Sequence, residues 1–250
     1  MAKMIPLGDQ AILVQLGERM DEATCRKVQQ FADYVQRHPF NGMVEHVPAF
    51  TSVTVHYDSW QVYRSYLRQL GASAGSKPEA EDEASPHEIV AARLTRMLAE
   101  MSESEREKPA VVHIPVCYGG EFGPDLDEVA RQNGLTGEEV VSIHTSGEYT
   151  VYMLGFAPGF PYLGGMSSRI AAPRRPTPRL AIPAGTVGIA GQQTGIYPIE
   201  TPGGWQLIGR TPVPLFAPDR LPPTLLEAGH IVRFYPISRS EYDSWEGAGR

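Results

Sequence analysis

The sequence has few cysteines, no long apolar run and fewer basic than acidic residues, and each shortage excludes a class of protein. Cys25 and Cys117 are the only cysteines, and their wide separation predicts free thiols in a reducing compartment. No apolar run approaches the roughly 20 residues that span a bilayer, and the N-terminus lacks the apolar stretch of a secretory signal. The net charge of −7 argues against nonspecific binding of nucleic acid. These features predict a cytoplasmic protein that binds neither membrane nor nucleic acid.

Several motifs of nucleotide-binding and hydrolytic sites are also missing. The sequence contains no GxxxxGK[ST] phosphate-binding loop, no GxSxG nucleophile motif and no HExxH or comparable histidine spacing. Gly185, Gly188 and Gly191 are spaced GxxGxxG rather than GxGxxG, which favours turn glycines over a dinucleotide fingerprint. We therefore predict no metal site and no complete hydrolase triad on this chain.

The segment from Gly155 to Pro214 differs most from an average sequence. Its 60 residues include 11 glycines and 10 prolines, and its charged residues are five arginines and one glutamate, a net charge of +4. Proline and glycine at this density are incompatible with helix, so the segment is predicted to form short strands joined by turns. A stiff scaffold that carries arginines suggests recognition of an anion such as a carboxylate or phosphate.

Residues 1–85 are predicted to form a ferredoxin-like domain, because strand and amphipathic helix patterns follow one another in the order β-α-β-β-α. The predicted strands are 11–16, 43–47 and 52–57, and the predicted helices are 21–37 and 60–70. This fold needs one more strand. Residues 110–116 have a strand pattern that could complete this sheet or could open the next domain.

The rest of the chain is predicted to hold a linker and a second domain. Residues 72–85 are small and acidic, and residues 86–108 combine a helical pattern at 86–101 with more acidic residues, which is typical of a solvated spacer. Residues 109–240 carry two short helical patterns and then many short strands, as in a small closed barrel. The predicted fold class is α+β.

Arg175 and Arg179 are candidates for contact with an anion because prolines on either side restrict the backbone around them. For Arg175, a role as a surface arginine that pairs with the acidic linker is equally open. Arg179 is the stronger candidate, since it directly precedes an apolar strand pattern. His144 ends a predicted helix, where it could act as a general base or as a structural C-terminal histidine.

Other polar residues of the same region have both a binding and a structural interpretation. Gln193 and Thr194 could orient a small polar ligand or could cap a tight hairpin. Trp205 follows a sharp turn and could line a pocket, although a core tryptophan that covers one end of a barrel is the simpler interpretation. Cys117 is interpreted as an inert thiol rather than a nucleophile.

Five stretches of the sequence together resemble a known family. They are CYGGEFGPDL at 117–126, GFAPGFPYLGG at 155–165, PRLAIPAGTVGIAG at 178–191, QTGIYP at 193–198 and TPGGWQLIGRTP at 201–212. With the helix that ends at His144, they resemble the KipI/PxpB family, also called allophanate hydrolase subunit 1. The resemblance implies a ferredoxin-like N-terminal domain and a cyclophilin-like β-barrel C-terminal domain.

The resemblance also implies a function shared with other proteins. Members of this family form one component of an ATP-dependent 5-oxoprolinase, whose other components are KipA/PxpC (allophanate hydrolase subunit 2) and PxpA. The complex would use ATP, with Mg²⁺ expected at the level of the complex and no cofactor bound by this chain alone. Two alternatives follow from the same family: an inhibitor of a sensor histidine kinase such as sporulation kinase A, and a carboxyltransferase component for urea or another amide.

Residues at family-motif positions are carried over as the predicted site. Arg179 and His144 are assigned catalytic roles by this resemblance. The predicted substrate-binding residues are Gln193, Thr194, Tyr197, Trp205, Gly203, Gly204, Arg175 and Arg210.

Overall fold

The computed structural model of the chain describes residues 2–19, 21–70, 84–101 and 109–245. It divides into two compact units, Met1–Glu107 and Lys108–Arg250. The predicted acidic linker at 72–85 lies outside the described residues except for its last two positions. Within the described ranges, no helix is both long enough and apolar enough to cross a membrane.

The first unit contains a four-stranded antiparallel sheet in the order β1-β2-β4-β3. The strands are β1 (Lys3–Pro6), β2 (Ala11–Gln15), β3 (Met43–Pro48) and β4 (Ser52–Tyr57), and the helices are α1 (Glu22–Arg37), α2 (Ser59–Gln69) and α3 (Pro86–Glu100). Asp21 and Asp58 cap α1 and α2 by accepting hydrogen bonds from backbone N–H groups of the first turn. The strands and helices predicted before residue 71 are therefore present, with ends that differ by one or two residues.

The fourth strand of this sheet comes from the start of the chain. β1 pairs with β2 through a tight turn in which Gly8 has a φ of +69°. It occupies the sheet edge that residues 110–116 would have filled had they completed this sheet. Residues 110–116 belong instead to the second unit. The β-α-β-β-α order thus forms a ferredoxin-like sheet whose remaining edge strand is N-terminal.

The prediction of a linker at residues 86–108 is wrong for its helical part. α3 begins with a capping box between Ser85 and Glu88 and buries Val90, Leu94 and Met97 in the core of the first unit. Burial of one such side chain contributes about 1.5–3 kcal/mol relative to exposure, so α3 stabilises this unit rather than spanning two domains.

The second unit is built around a closed barrel in the order β10-β7-β6-β13-β5-β12-β9. Its strands are β5 (Val111–Tyr118), β6 (Tyr149–Leu154), β7 (Pro161–Gly164), β9 (Thr186–Ala190), β10 (Gln193–Ile196), β12 (Gln206–Arg210) and β13 (Ile231–Pro236). A separate two-stranded ribbon pairs β8 (Arg179–Ile182) with β11 (Thr201–Gly203). This unit matches the predicted barrel and, with the first unit, the predicted α+β class.

Two helices, α4 (Leu126–Asn133) and α5 (Gly137–Thr145), connect β5 to β6 and pack against the barrel core. Gly134 ends α4 with a φ of +65°, and a capping box between Thr136 and Glu139 begins α5. A short helix, α6 (Arg239–Asp243), follows β13. The two longer helices place Asp125 at the start of α4 and His144 at the end of α5.

Candidate functional site

The carboxylate of Asp125 joins two arginines that are distant from it in the sequence. Its Oδ1 accepts hydrogen bonds from Arg175 Nη1 at 3.0 Å and from Arg179 Nη2 at 2.8 Å. Its Oδ2 accepts the backbone N–H of Leu207 at 2.7 Å. The Asp125 side chain is only 6% exposed, whereas those of Arg175 and Arg179 are 37% and 25% exposed. A buried carboxylate therefore holds two arginines that still face solvent in part.

A glycine lets Asp125 approach strand β12. A Cβ on Gly123 would lie 2.1 Å from the carbonyl oxygen of Ile208, a contact that no side chain could make. Without it, the chain lies close enough for Asp125 N to donate to Leu207 O at 2.9 Å while the Asp125 carboxylate accepts from Leu207 N. The pair of hydrogen bonds to one residue fixes the carboxylate against β12.

The arginines are held by the proline-rich segment 173–179, which runs past the start of β12. Arg175 N donates to Gly204 O at 2.7 Å, and Gln206 Nε2 donates to Pro173 O at 3.0 Å. Arg179 begins β8, where it is the register partner of Gly203 on β11. These backbone contacts restrict both guanidinium groups before any ligand binds, which lowers the entropy cost of binding an anion.

This arginine site, defined as Asp125, Arg175 and Arg179, leaves buried polar atoms without partners. In the described part of the second unit, the buried side-chain atoms without a hydrogen-bond partner are Arg175 Nε, Arg179 Nη1, Thr201 Oγ1 and Gln206 Oε1. An unpaired buried polar group costs about 1–3 kcal/mol, so folded proteins rarely keep several in one place. Two of the four, Arg175 Nε and Arg179 Nη1, belong to the arginine site.

An aromatic cluster lies on the outside of the barrel beside this segment. Tyr197 and Trp205 are almost fully buried in it, with Phe160 and Ile182. Burial raises the pKa of Tyr197 to about 12, and the charges of Arg174 and Arg179 oppose that rise. Trp205 is thus a core residue of this cluster, which lies outside the barrel rather than over one of its ends.

The two predicted glycines differ in their surroundings. A Cβ on Gly203 would lie 2.4 Å from the Tyr197 hydroxyl oxygen and 2.8 Å from Ile182 Cδ1, whereas a Cβ on Gly204 would meet nothing closer than 3.7 Å. Gly203 therefore permits close packing of the ribbon on the aromatic cluster. Gly204 contributes through its carbonyl, which accepts from Arg175 N.

His144 does not join the arginine site. It is fully buried inside the barrel, where Nδ1 lies 2.8 Å from the Tyr118 hydroxyl and Nε2 lies 3.0 Å from Thr194 Oγ1. Because the Thr194 hydroxyl donates to Gly188 O, it accepts from His144 Nε2–H, and the neutral ring accepts from Tyr118 at Nδ1. Burial lowers the pKa of His144 to about 3. The catalytic assignment of His144 is therefore replaced by a structural one, because the ring contacts no solvent and stays neutral.

Residues along strand β10 alternate between the interior of the barrel and its outer surface, and this divides the remaining predicted residues into two groups. Thr194 faces the barrel interior, and Ile196 lies in the interior core. Tyr197 packs in the outer cluster, and Gly195 touches Trp205 and Phe160 of that cluster. Since side chains alternate along a strand, half-buried Gln193 lies on the outer side with Gly195. The substrate-binding assignment of Thr194 is thus also replaced by an interior role.

Arg210 lies at the far end of β12 and forms a separate cluster. Its Nε donates to Ala184 O at 2.8 Å, and its guanidinium carbon lies 5.9 Å from the centre of the Phe122 ring. Arg239 lies over the same ring at 4.7 Å. The structure therefore brings together Arg175, Arg179, Tyr197, Gly203, Gly204 and Trp205 but not Arg210.

Sequence reasoning missed Asp125, the residue that joins the two arginines. The signal was present, since Asp125 lies in one of the five quoted stretches, yet it was read only as part of a helix start. Its side chain makes no capping hydrogen bond to α4, because the arginines and Leu207 occupy it. No group of three or more His, Cys, Asp or Glu side chains that could hold a metal ion is found in residues 2–19, 21–70, 84–101 and 109–245.

Comparison with known proteins places this chain in a family. Residues 2–226 match the family described as the carboxyltransferase domain, subdomain C and D. The chain is 53% identical over 240 residues to the B subunit of 5-oxoprolinase from Bacillus subtilis strain 168, and the match covers 96% of this chain and 95% of that protein. It is 38% identical over 237 residues to the corresponding 5-oxoprolinase protein of Escherichia coli O157:H7, with 94% and 96% covered.

A solved structure shows the same similarity. The chain is 41% identical to a conserved uncharacterized protein of Pyrococcus horikoshii, with a TM-score of 0.53. The match covers 96% of this chain and all of that one. Both units therefore lie within the similarity.

Proposed function

The chain belongs to the family of carboxyltransferase domains, subdomains C and D, and we propose that it serves as the PxpB-type component of an ATP-dependent 5-oxoprolinase. The observation that carries this proposal is the 53% identity, over nearly the full length of both chains, to a protein named as one subunit of that enzyme. In the proposed reaction, 5-oxo-L-proline, ATP and two molecules of water give L-glutamate, ADP and phosphate. The lactam C–N bond breaks, and its nitrogen becomes the amino group of glutamate.

The arginine site supports a share in this chemistry. A lactam is stabilised by resonance, so ring opening requires activation of its carbonyl and a fixed position for its carboxylate. Arg175 and Arg179 are partly exposed cations on a rigid segment, which suits the binding of an anionic group. Asp125, the side chain of the site that could act as a nucleophile, is held by two arginines and the Leu207 N–H, and His144 lies inside the barrel. We therefore propose that the arginine site forms one part of a site completed by a partner protein.

We propose that magnesium and ATP are bound at the level of the complex. The sequence has no GxxxxGK[ST] phosphate-binding loop, and among the described residues no three or more His, Cys, Asp or Glu side chains are grouped so that they could hold a metal ion. We assign ATP to the assembled complex rather than to this chain alone. The partners in this proposal are KipA/PxpC and PxpA, and the proposed location is the cytoplasm.

Reconstitution tests the proposal. Glutamate release from 5-oxo-L-proline and ATP would be measured with this chain alone, with each partner protein, and with both. We expect activity only when both partners are present. Glutamate release by the chain alone would contradict the shared site, and an assembled complex without activity would contradict the proposed reaction.

A carboxyltransferase component for an amide such as urea is the second candidate, because the matching family is described as a carboxyltransferase domain. It would require a partner that carries a carboxylated biotin. Transfer of labelled carboxylate to urea in the presence of such a partner, without glutamate release from 5-oxo-L-proline, would favour this candidate. Inhibition of a sensor histidine kinase remains a prediction from the sequence.

A further inference from the structure

We infer that Arg175 and Arg179 bind the carboxylate of the lactam substrate and that Asp125 is the fixed counter-ion that positions both guanidinium groups. This inference rests on the proposed function and deepens it by assigning one chemical group of the substrate to named residues. Asp125 accepts hydrogen bonds from both arginines, yet each arginine keeps a buried nitrogen without a partner.

Both arginines use only part of their donor capacity. Asp125 Oδ1 accepts one N–H from each, and Arg175 Nε and Arg179 Nη1 are buried without partners. A guanidinium group has five N–H donors in a fixed fork, which matches the two oxygens of a carboxylate. Because both side chains are partly exposed, an incoming carboxylate meets them from the solvent side, and a small rotation would give the unpaired nitrogens a partner.

The net charge of the arginine site favours a ligand group with one negative charge over a group with two. Two arginines and one carboxylate leave a net charge of +1, and Asp125 lies within hydrogen-bond distance of both cations. A single substrate carboxylate would neutralise the site. A phosphoryl dianion would exceed that charge and would lie close to the Asp125 carboxylate, which repels it.

The test compares two ligands that differ only in the charged group. The dissociation constants of 5-oxo-L-proline and of its uncharged carboxamide would be measured by calorimetry on the assembled complex, with wild type, Arg175→Ala, Arg179→Ala and the matched control Arg174→Ala. We expect Arg175→Ala and Arg179→Ala each to weaken binding of the acid by about 10- to 100-fold and binding of the carboxamide by less than about threefold. Exposed Arg174 is the adjacent arginine, and its removal should change neither.

Equal weakening of both ligands would overturn the inference, because the arginines would then act only on structure. A rise in the KM for ATP, with unchanged binding of the acid, would overturn it in favour of a phosphate contact. These outcomes are separate from failure of the proposed function, since binding is measured without turnover. If the wild-type complex bound the acid no better than the carboxamide, the inference would fail even in a complex that released glutamate.

Asp125→Asn tests the positioning role. The substitution keeps the shape of the side chain and removes its charge, so the net charge of the site rises. We expect weaker binding of the acid, because the two arginines lose their shared anchor, and a new inhibition by inorganic phosphate, because the repelling charge is gone. A variant that lost acid binding without gaining phosphate inhibition would show Asp125 to be structural only and would overturn its role as counter-ion.

Discussion

The second unit contains two polar clusters that the sequence had grouped together, and they differ in how completely their hydrogen bonds are satisfied. Inside the barrel, His144 has a partner at each ring nitrogen, and Thr194 both accepts and donates. In the partly exposed arginine site, two buried atoms, Arg175 Nε and Arg179 Nη1, have no partner. A buried polar group with every bond made stabilises the fold, whereas unpaired groups next to solvent are a sign of ligand binding. Hydrogen-bond satisfaction, rather than residue type, separates the structural cluster from the functional one.

The largest expected effect comes from the glycine that brings Asp125 to β12. Gly123→Ala would place a Cβ 2.1 Å from the Ile208 carbonyl oxygen, and a backbone atom in a barrel strand cannot move far. We expect the free energy of unfolding of the second unit to fall by about 3 kcal/mol or more in denaturant titrations. Gly137→Ala is the control, because its Cβ would meet nothing closer than 3.6 Å. Equal stability of the two variants would contradict the close approach.

One substitution in each cluster tests the comparison directly. His144→Ala would remove one hydrogen-bond partner from each of the Tyr118 and Thr194 hydroxyls and would open a cavity. We therefore expect the free energy of unfolding to fall by about 3 kcal/mol. Arg179→Ala leaves Asp125 paired with Arg175 and Leu207, so we expect a loss of about 1 kcal/mol or less. Glutamate release by the complex should nevertheless fall by about 100-fold or more in Arg179→Ala. A greater loss of stability in Arg179→Ala than in His144→Ala would reverse the assignment of the clusters.

The ribbon beside the arginine site offers a smaller effect with an adjacent control. Gly203→Ala would push a methyl group against the Tyr197 hydroxyl and Ile182, and we expect a loss of about 1–3 kcal/mol in thermal or denaturant unfolding. Gly204→Ala meets only ordinary contacts and should change stability by less than about 0.5 kcal/mol. Similar values for both would show that the ribbon does not pack on the aromatic cluster as closely as described.

A pH dependence of stability is expected for the interior cluster alone. Burial lowers the pKa of His144 from its usual 6.5 to about 3, so the unfolded chain binds a proton in this range and the folded one does not. The stability contributed by neutral His144 is complete above pH 6.5 and is lost as the pH falls toward 3, by about 1.4 kcal/mol per pH unit. Unfolding of wild type and His144→Gln between pH 7 and 4 would measure this difference. Parallel curves would contradict the buried neutral ring.

Local patterns in the sequence predicted most helices and strands, because residues within or directly beside each one determine where it forms. α1 and α5 have capping residues at their starts and apolar residues at helical spacing, and the proline-rich segment excluded helix. β1 was missed because four residues that end in proline give too short a pattern. α3 was predicted as a helix but not as part of a core, since the sequence around it is polar and its partners include β2 and α1, which are distant along the chain.

The site was only partly predictable for a similar reason. Arg175 and Arg179 stood out by composition, but their partner Asp125 lies 50 residues before Arg175 and resembles an ordinary residue at a helix start. Thr194 lies in the same motif as Tyr197. Only the alternation of β10 around a closed barrel shows that Thr194 points inward, toward His144 of α5, and barrel closure depends on pairings between distant strands.

The position of β13 in the barrel also has a consequence for synthesis of the protein. This strand, residues 231–236, lies between β5 and β6 and forms the parallel pair with β5. On the ribosome, the barrel therefore stays open until β13 has emerged, on the order of 10 seconds after the first unit is complete at typical rates of elongation. The first unit, which has its own hydrophobic core, is complete before that interval begins, while β5 waits with an unpaired edge that chaperones would be expected to cover.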